Sequence, residues 1–140
     1  MKKLFFLLLI LSIAAGCATD NKKPSEDSLL ATGAMDHINS VKEAYEGKDR
    51  SALEQLVPEL AEGILKELVF DTAELSFTNR LIRITGTSVV VNMNWRGSWL
   101  LDQSRKIENR GAADFVLDRD TMSLSRIDGD NPFTIPAAIK

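Results

Sequence analysis

SVVVNMNWRGSWLL, residues 88–101, alternates with period two along its whole length. Val89, Val91, Met93, Trp95, Trp99 and Leu101 fall on one parity, with Ser88, Asn92, Asn94, Arg96 and Ser98 between them. Successive side chains of a strand point to opposite faces, so this spacing predicts a long strand with one dry and one solvated face. Wound as a helix at about 100° per residue, the same apolar residues would scatter around the axis.

The chain on either side of this strand continues the pattern. Downstream, Ile107, Gly111, Ala113, Phe115 and Leu117 share one parity, opposite Lys106, Glu108, Arg110, Asp114 and Asp118. Asp118 to Thr121 then turns the chain into a fourth strand, Met122 to Asp128, which Gly129-Asp130-Asn131-Pro132 ends. Upstream, Leu75, Phe77 and Leu81 alternate, and Ile82 and Ile84 sit on the other parity. That slip near Asn79–Leu81 predicts a bulge, and Gly86-Thr87 is a hairpin turn. Before Asp71 the period lengthens to that of a helix. Leu30, Ala34, Ile38, Val41 and Tyr45 lay one apolar stripe along residues 28–46, with Asp27 or Ser28 as N-cap and Gly47 as the stop. Arg50 to Phe70 repeats the stripe through Leu53, Leu56, Val57, Leu60, Ile64 and Leu68, and Pro58 is expected to break it and start a second short helix. Helices followed by consecutive antiparallel strands make an α+β domain, with N-terminal helices packed on a curved antiparallel sheet of about four strands.

The N-terminus is of another kind. Lys2 and Lys3 precede a run from Leu4 to Ala15 that is apolar except for Ser12. Such a run is short for a membrane span, which needs about 20 residues. Ala14-Ala15-Gly16-Cys17 closes it, and this box resembles the signal of bacterial lipoproteins. A plain signal peptide with an incidental Cys is the bland reading, but Cys17 is the only cysteine of the chain and a lone exported thiol wants a purpose. The resemblance implies cleavage before Cys17, acylation with palmitate-type chains, and a membrane anchor. The expected organisation is residues 1–16 signal peptide, 17–27 lipidated Cys and flexible polar tether, and 28–140 the folded domain. The tether ATDNKKPSED reaches at most about 35 Å when extended. Ala18 in place of Asp after the Cys implies, by the same resemblance, the outer membrane facing the periplasm in a cell that has one.

Charge narrows the partners. The chain carries 17 Lys+Arg against 20 Asp+Glu, a net charge of −3, and removing Lys2 and Lys3 makes the remainder more acidic. With no clustered basic face, nucleic acid is excluded as a partner, and anchoring falls to the acyl chains rather than to anionic lipid.

Ala44-Tyr45-Glu46-Gly47-Lys48-Asp49, Trp95-Arg96-Gly97-Ser98-Trp99, Gly111 to Leu117 and Ser125 to Phe133, in that order, resemble the nuclear-transport-factor-2-like superfamily, which includes ketosteroid isomerase. A cystatin-like helix-on-sheet domain has similar spacing. The resemblance implies a cone-shaped sheet wrapped around the first helix, with a pocket inside it. Enzymes of that superfamily place a Tyr, Asp or His there, and the weak catalytic candidates are His37, Tyr45 and Asp71.

Each singled-out residue has a structural alternative. His37 is a general base or a hydrogen-bonded core-edge histidine. Trp95 and Trp99 share a face and either floor an apolar ligand pocket or belong to the core. Arg126 has the parity of Met122 and Leu124, and turned inward it would clamp an anion; strand ends, however, often slip phase. Asp128, Asp130 and Asn131 lack the spacing of a calcium loop, no metal or cofactor motif is present, and none is expected. The leading expectation is therefore a non-enzymatic, membrane-anchored envelope lipoprotein that binds a small apolar ligand or a protein partner, either another envelope protein or a second copy in a homodimer. The alternative is an isomerase- or dehydratase-type enzyme using the cone.

Overall fold

The computed structural model describes residues 23–136. Cys17, the signal segment and the first half of the tether lie outside these residues. The element order is α1 (Glu26–Glu46), α2 (Arg50–Leu56), α3 (Ala61–Lys66), β1 (Thr72–Ile84), β2 (Ser88–Leu101), β3 (Arg105–Asp118) and β4 (Leu124–Gly129). The strands form one four-stranded antiparallel meander in the order β1-β2-β3-β4. The α+β class and the helices-then-strands order are those read from the sequence.

The N-cap of α1 lies two or three residues before the expected caps. Ser25 is the N-cap, its hydroxyl accepting from the Ser28 amide at 3.2 Å, and Glu26 and Asp27 favour the positive end of the helix. The helix therefore takes up Glu26 and Asp27, the last two residues assigned to the tether. Its stripe Ala34, Ile38, Val41, Ala44 and Tyr45 is buried against the sheet. At its end Lys48 turns the chain at φ 54°, donates to the Phe70 carbonyl at 2.7 Å and lies over the Phe70 ring. Asp49 then caps α2 by accepting from the Ala52 amide at 3.0 Å. Pro58 does break the second helical stretch, but α3 starts three residues later than expected, at Ala61, because Pro58–Leu60 form a turn.

Val89, Val91, Met93, Trp95, Trp99 and Leu101 of β2 are all buried, as the alternation requires. The slip in β1 is a bulge between Asn79 and Leu81. It carries Ile82 and Ile84 inward opposite Val91 and Val89, and throws Leu81 outward opposite Asn92, where it is 52% exposed. β4 is shorter than expected: Met122 sits at φ 55° in the turn, and pairing runs only from Leu124. The β3–β4 turn is held by Asp118, whose Oδ1 accepts from the Thr121 amide and hydroxyl and the Asp120 amide at 2.8–3.0 Å. These bonds hold its carboxyl below the usual carboxylate range, the Thr121 amide first. Glu46 on α1 accepts from the Leu75 amide at 2.5 Å, which fixes the end of α1 against strand β1.

Candidate functional site

Two surfaces of the sheet compete for the role of a site: the concave inner face under α1 and the open outer face.

The inner face is filled. Tyr45 lies fully buried at its centre, its ring centroid 5.0 Å from that of Phe70 and 5.2 Å from that of Phe133. The Trp99 indole donates to the Tyr45 hydroxyl at 2.9 Å, a bond with both groups buried. Burial, the larger cause, pushes the Tyr45 hydroxyl far above its ordinary range, so it stays a neutral acceptor. Phe133 also meets Phe77 and Phe115 edge-on, at 6.2 and 6.3 Å. Phe133 and the buried Ile135 come from the segment after β4, which folds back over the core, where the Ile135 amide donates to Glu67 at 3.2 Å.

Two glycines make room for the indoles. A Cβ on Gly97 would come within 2.3 Å of Trp99 Cη2, and one on Gly111 within 2.9 Å of Trp95 Cζ2. Each tryptophan thus lies across a glycine, a packing that large rings and missing side chains make together. The two rings meet edge-to-face at 6.4 Å, and the Trp95 indole donates to the Asp130 carbonyl at 2.7 Å. Trp95 and Trp99 are therefore core, with every indole N–H satisfied.

The three catalytic candidates point to three places. His37 is half-buried, and its Nε2–H donates to the Leu56 carbonyl at 3.0 Å, tying the end of α2 to α1. Burial lowers its pKa, the carbonyl bond opposing that in part. Tyr45 is committed to Trp99. Asp71 is exposed and accepts from the Gln103 amide at 2.6 Å, bracing the β2–β3 turn where Asp102 and Gln103 take positive φ. Arg126 faces outward: a register shift between Val116 and Leu117 puts Leu124 inward opposite Leu117 and Arg126 opposite Val116. It is exposed and pairs with Asp128 at 2.8 Å. Among the described residues no group of three or more His, Cys, Asp or Glu is arranged to hold a metal ion, and no helix is long and apolar enough to cross a membrane.

The outer face carries the surface relief. A depression of about 630 Å³ is lined by Glu74, Ser76, Arg96, Ser98, Glu108 and Arg110 among others. A second, of about 580 Å³, adjoins it along Thr78, Asn94 and Ala112, with Trp95, though 3% exposed, also in its lining. Both are open, and polar and charged residues make up most of their lining. Sequence reading placed Arg96, Lys106, Glu108, Arg110 and Asp114 on the solvated parity but singled out none of them. Only the strand register shows which of them lie side by side.

No family model matches the chain, and no curated protein matches it. Among solved structures it is similar to a nuclear transport factor 2-like superfamily protein from Salmonella enterica subsp. enterica serovar Typhimurium str. LT2. The TM-score is 0.64 at 14% identity, over 79% of this chain and 96% of that one. At that identity the likeness shows the fold. Taken with three helices ahead of a curved four-stranded meander, it gives this chain the nuclear-transport-factor-2-like fold, with the inside of its cone occupied by aromatic side chains.

Proposed function

We propose that this chain is a lipid-anchored envelope protein that is not an enzyme and works by binding a protein partner on the outer face of its sheet. The observation that carries the reading is the Tyr45–Trp99 pair, enclosed by Phe70 and Phe133, at the centre of the cone. A small apolar ligand needs a concave, mostly apolar cavity, and that space is taken by side chains packed at core distances. The separation of His37, Tyr45 and Asp71 weighs in the same direction, since a general base and its partner must share a substrate. A broad, shallow and charged face suits a protein surface better than a buried small molecule.

The anchor part of the reading rests on Ala14-Ala15-Gly16-Cys17, and the outer-membrane part on Ala18. Two acyl chains suffice for stable anchoring, at about 0.8 kcal/mol per buried methylene. In cells fed labelled palmitate, the wild-type chain takes up label and sediments with membranes, and Cys17→Ser does neither. Label retained by Cys17→Ser would remove the anchor. The binding part is tested by titrating residues 18–140 with N-phenyl-1-naphthylamine while following tryptophan emission. No saturable change is expected. Saturable binding that quenches the tryptophans and is lost in Trp99→Leu would return the function to the cone.

A further inference from the structure

Strand β3 is only half paired on one side. It runs for 14 residues and pairs with β2 along its whole length, whereas β4 pairs with it only from Ala113 to Leu117. β4 stops where Gly129, at φ 98°, bends the chain off the ladder. The last bonds belong to Ala112, whose carbonyl accepts from the Asp130 amide at 2.9 Å and whose amide donates to Asp130 Oδ2 at 3.3 Å. Beyond them the chain turns inward and buries Phe133 and Ile135.

Parity then identifies the backbone groups left open. In an antiparallel ladder the N–H and C=O of one residue point to the same neighbour, and those of the next residue point to the other. The Ala112 groups point to Asp130, away from β2, and the β2–β3 register runs without a slip. The N–H and C=O of Arg110, Glu108 and Lys106 therefore point the same way, past the end of β4. Among the described residues none of these groups meets a hydrogen-bond partner. The open edge, residues 105–110, is about 20 Å long at about 3.4 Å per residue. The edge of β1 is treated differently: Glu46 takes the Leu75 amide there, and the bulge at Asn79–Leu81 breaks its run.

The side chains of the same three residues lie on the outer face and are exposed: Lys106 positive, Glu108 negative, Arg110 positive. Edges are commonly guarded by charge, and a run of one sign would discourage every incoming strand. An alternating run selects instead. It opposes a strand of like pattern and favours one whose facing residues read acid, base, acid, since directly opposed side chains on paired strands attract or repel by sign. The pattern is the same in either direction, so it holds for a parallel or an antiparallel guest. A second copy laid antiparallel over the full edge would set Lys106 against Arg110 and Glu108 against Glu108. An acid facing Arg110 meets a second cation nearby. Arg96 stands directly opposite Arg110 on β2, and among the described residues neither guanidinium has a hydrogen-bond or ion-pair partner. Lys106 and Glu108 pair with each other at 2.5 Å, an exposed contact of small energy that a guest can exchange.

We infer that this edge of β3 takes up an extended segment of a partner protein as a fifth strand of the sheet. The segment carries acid, base and acid at alternate positions, facing Arg110, Glu108 and Lys106, with an apolar residue beside the buried Ile107. Backbone bonds supply the affinity, and the charges supply the choice of partner. The inference rests on the reading that a protein partner binds at the outer face, and it names the segment that the partner presents.

The test uses the full-length chain in detergent and a fluorescein-labelled peptide, TEVKVET, followed by anisotropy. Saturable binding that weakens as salt is added is expected. The sign-inverted peptide TKVEVKT should bind about tenfold more weakly or worse. The variant Lys106→Glu, Glu108→Lys, Arg110→Glu should exchange the two preferences. Methylating the backbone nitrogen of the peptide's central lysine, which faces β3, should abolish binding, and methylating that of a valine, which faces away, should change it by less than about threefold. Thermal melts establish that each variant is folded; if the triple variant is not, Glu108→Lys alone replaces it and should weaken TEVKVET about threefold or more. Absence of saturable TEVKVET binding, equal binding of the two peptides, or indifference to methylation at the lysine overturns the inference. So does a dimer in sedimentation that Glu108→Lys dissolves, which would give the edge to a second copy. Those results leave the outer-face reading standing, whereas saturable N-phenyl-1-naphthylamine binding in the cone removes that reading itself.

Discussion

The same strands carry two faces that obey different rules. On the inner face of β2 and β3, Trp95, Trp99, Ala113 and Phe115 are buried, and the positions between the large rings are glycines, Gly97 and Gly111. Every group there is defined by volume, and the indole N–H groups have partners within 2.9 Å. On the outer face, one residue along, Arg96, Glu108, Arg110 and Asp128 are exposed and are ordered by charge rather than by shape. The contrast places close packing on one parity and exposed charge on the other. Tyr45, Phe70 and Phe133 pack together and close the inside of the cone.

Substitutions sharpen the contrast in order of expected size. Trp99→Ala removes the largest fully buried side chain and should cost about 3–5 kcal/mol in urea unfolding. A loss under about 1 kcal/mol would mean the inner face is loosely filled. Tyr45→Phe keeps the ring and leaves the buried Trp99 indole N–H without its acceptor, so a loss of about 1–3 kcal/mol is expected, with tryptophan emission altered and the fold retained. On the outer parity the effect should nearly vanish. Arg96→Ser relieves the opposition to Arg110 and should leave stability within about 0.5 kcal/mol of wild type or slightly higher, by the same urea measurement. A large destabilisation there would break the division between the faces.

The smallest effect concerns pH. Burial lowers the His37 pKa in the folded chain below its unfolded value of 6.5. The unfolded chain therefore takes up a proton first as pH falls, so the contribution of neutral His37 is complete above pH 6.5 and is lost progressively below it, down through the folded pKa. Urea midpoints between pH 7.5 and 5 should fall more steeply for wild type than for His37→Gln. Equal slopes would place His37 in solvent rather than at the Leu56 carbonyl.

The inner face is largely legible in the sequence. The parity of β2 named its buried residues, the stripe from Ala34 to Tyr45 named the face of α1, and the slip in β1 was visible near Asn79. Alternation cannot say which residue a bulge swallows, so Leu81 was grouped with Leu75 and Phe77 although the bulge turns it to solvent. The same effect at the start of β4 turns Arg126 outward. The filling of the cone was not legible because Phe133 and Ile135 sit in a segment with no period, and their burial depends on a tertiary return over the sheet. The candidate site on the outer face was hidden for another reason. Its charges were plain, but their rows depend on register, which turn geometry and packing set together.

Solute quenching of the two tryptophans tests the closed interior most directly. Acrylamide titration of residues 18–140 should quench Trp95 and Trp99 far less than free indole, with blue-shifted emission, and Tyr45→Phe should change the emission without opening access. Quenching at a rate near that of free indole, in a chain that melts cooperatively, would mean that solvent and small molecules enter the cone and would return the search for a site to its interior.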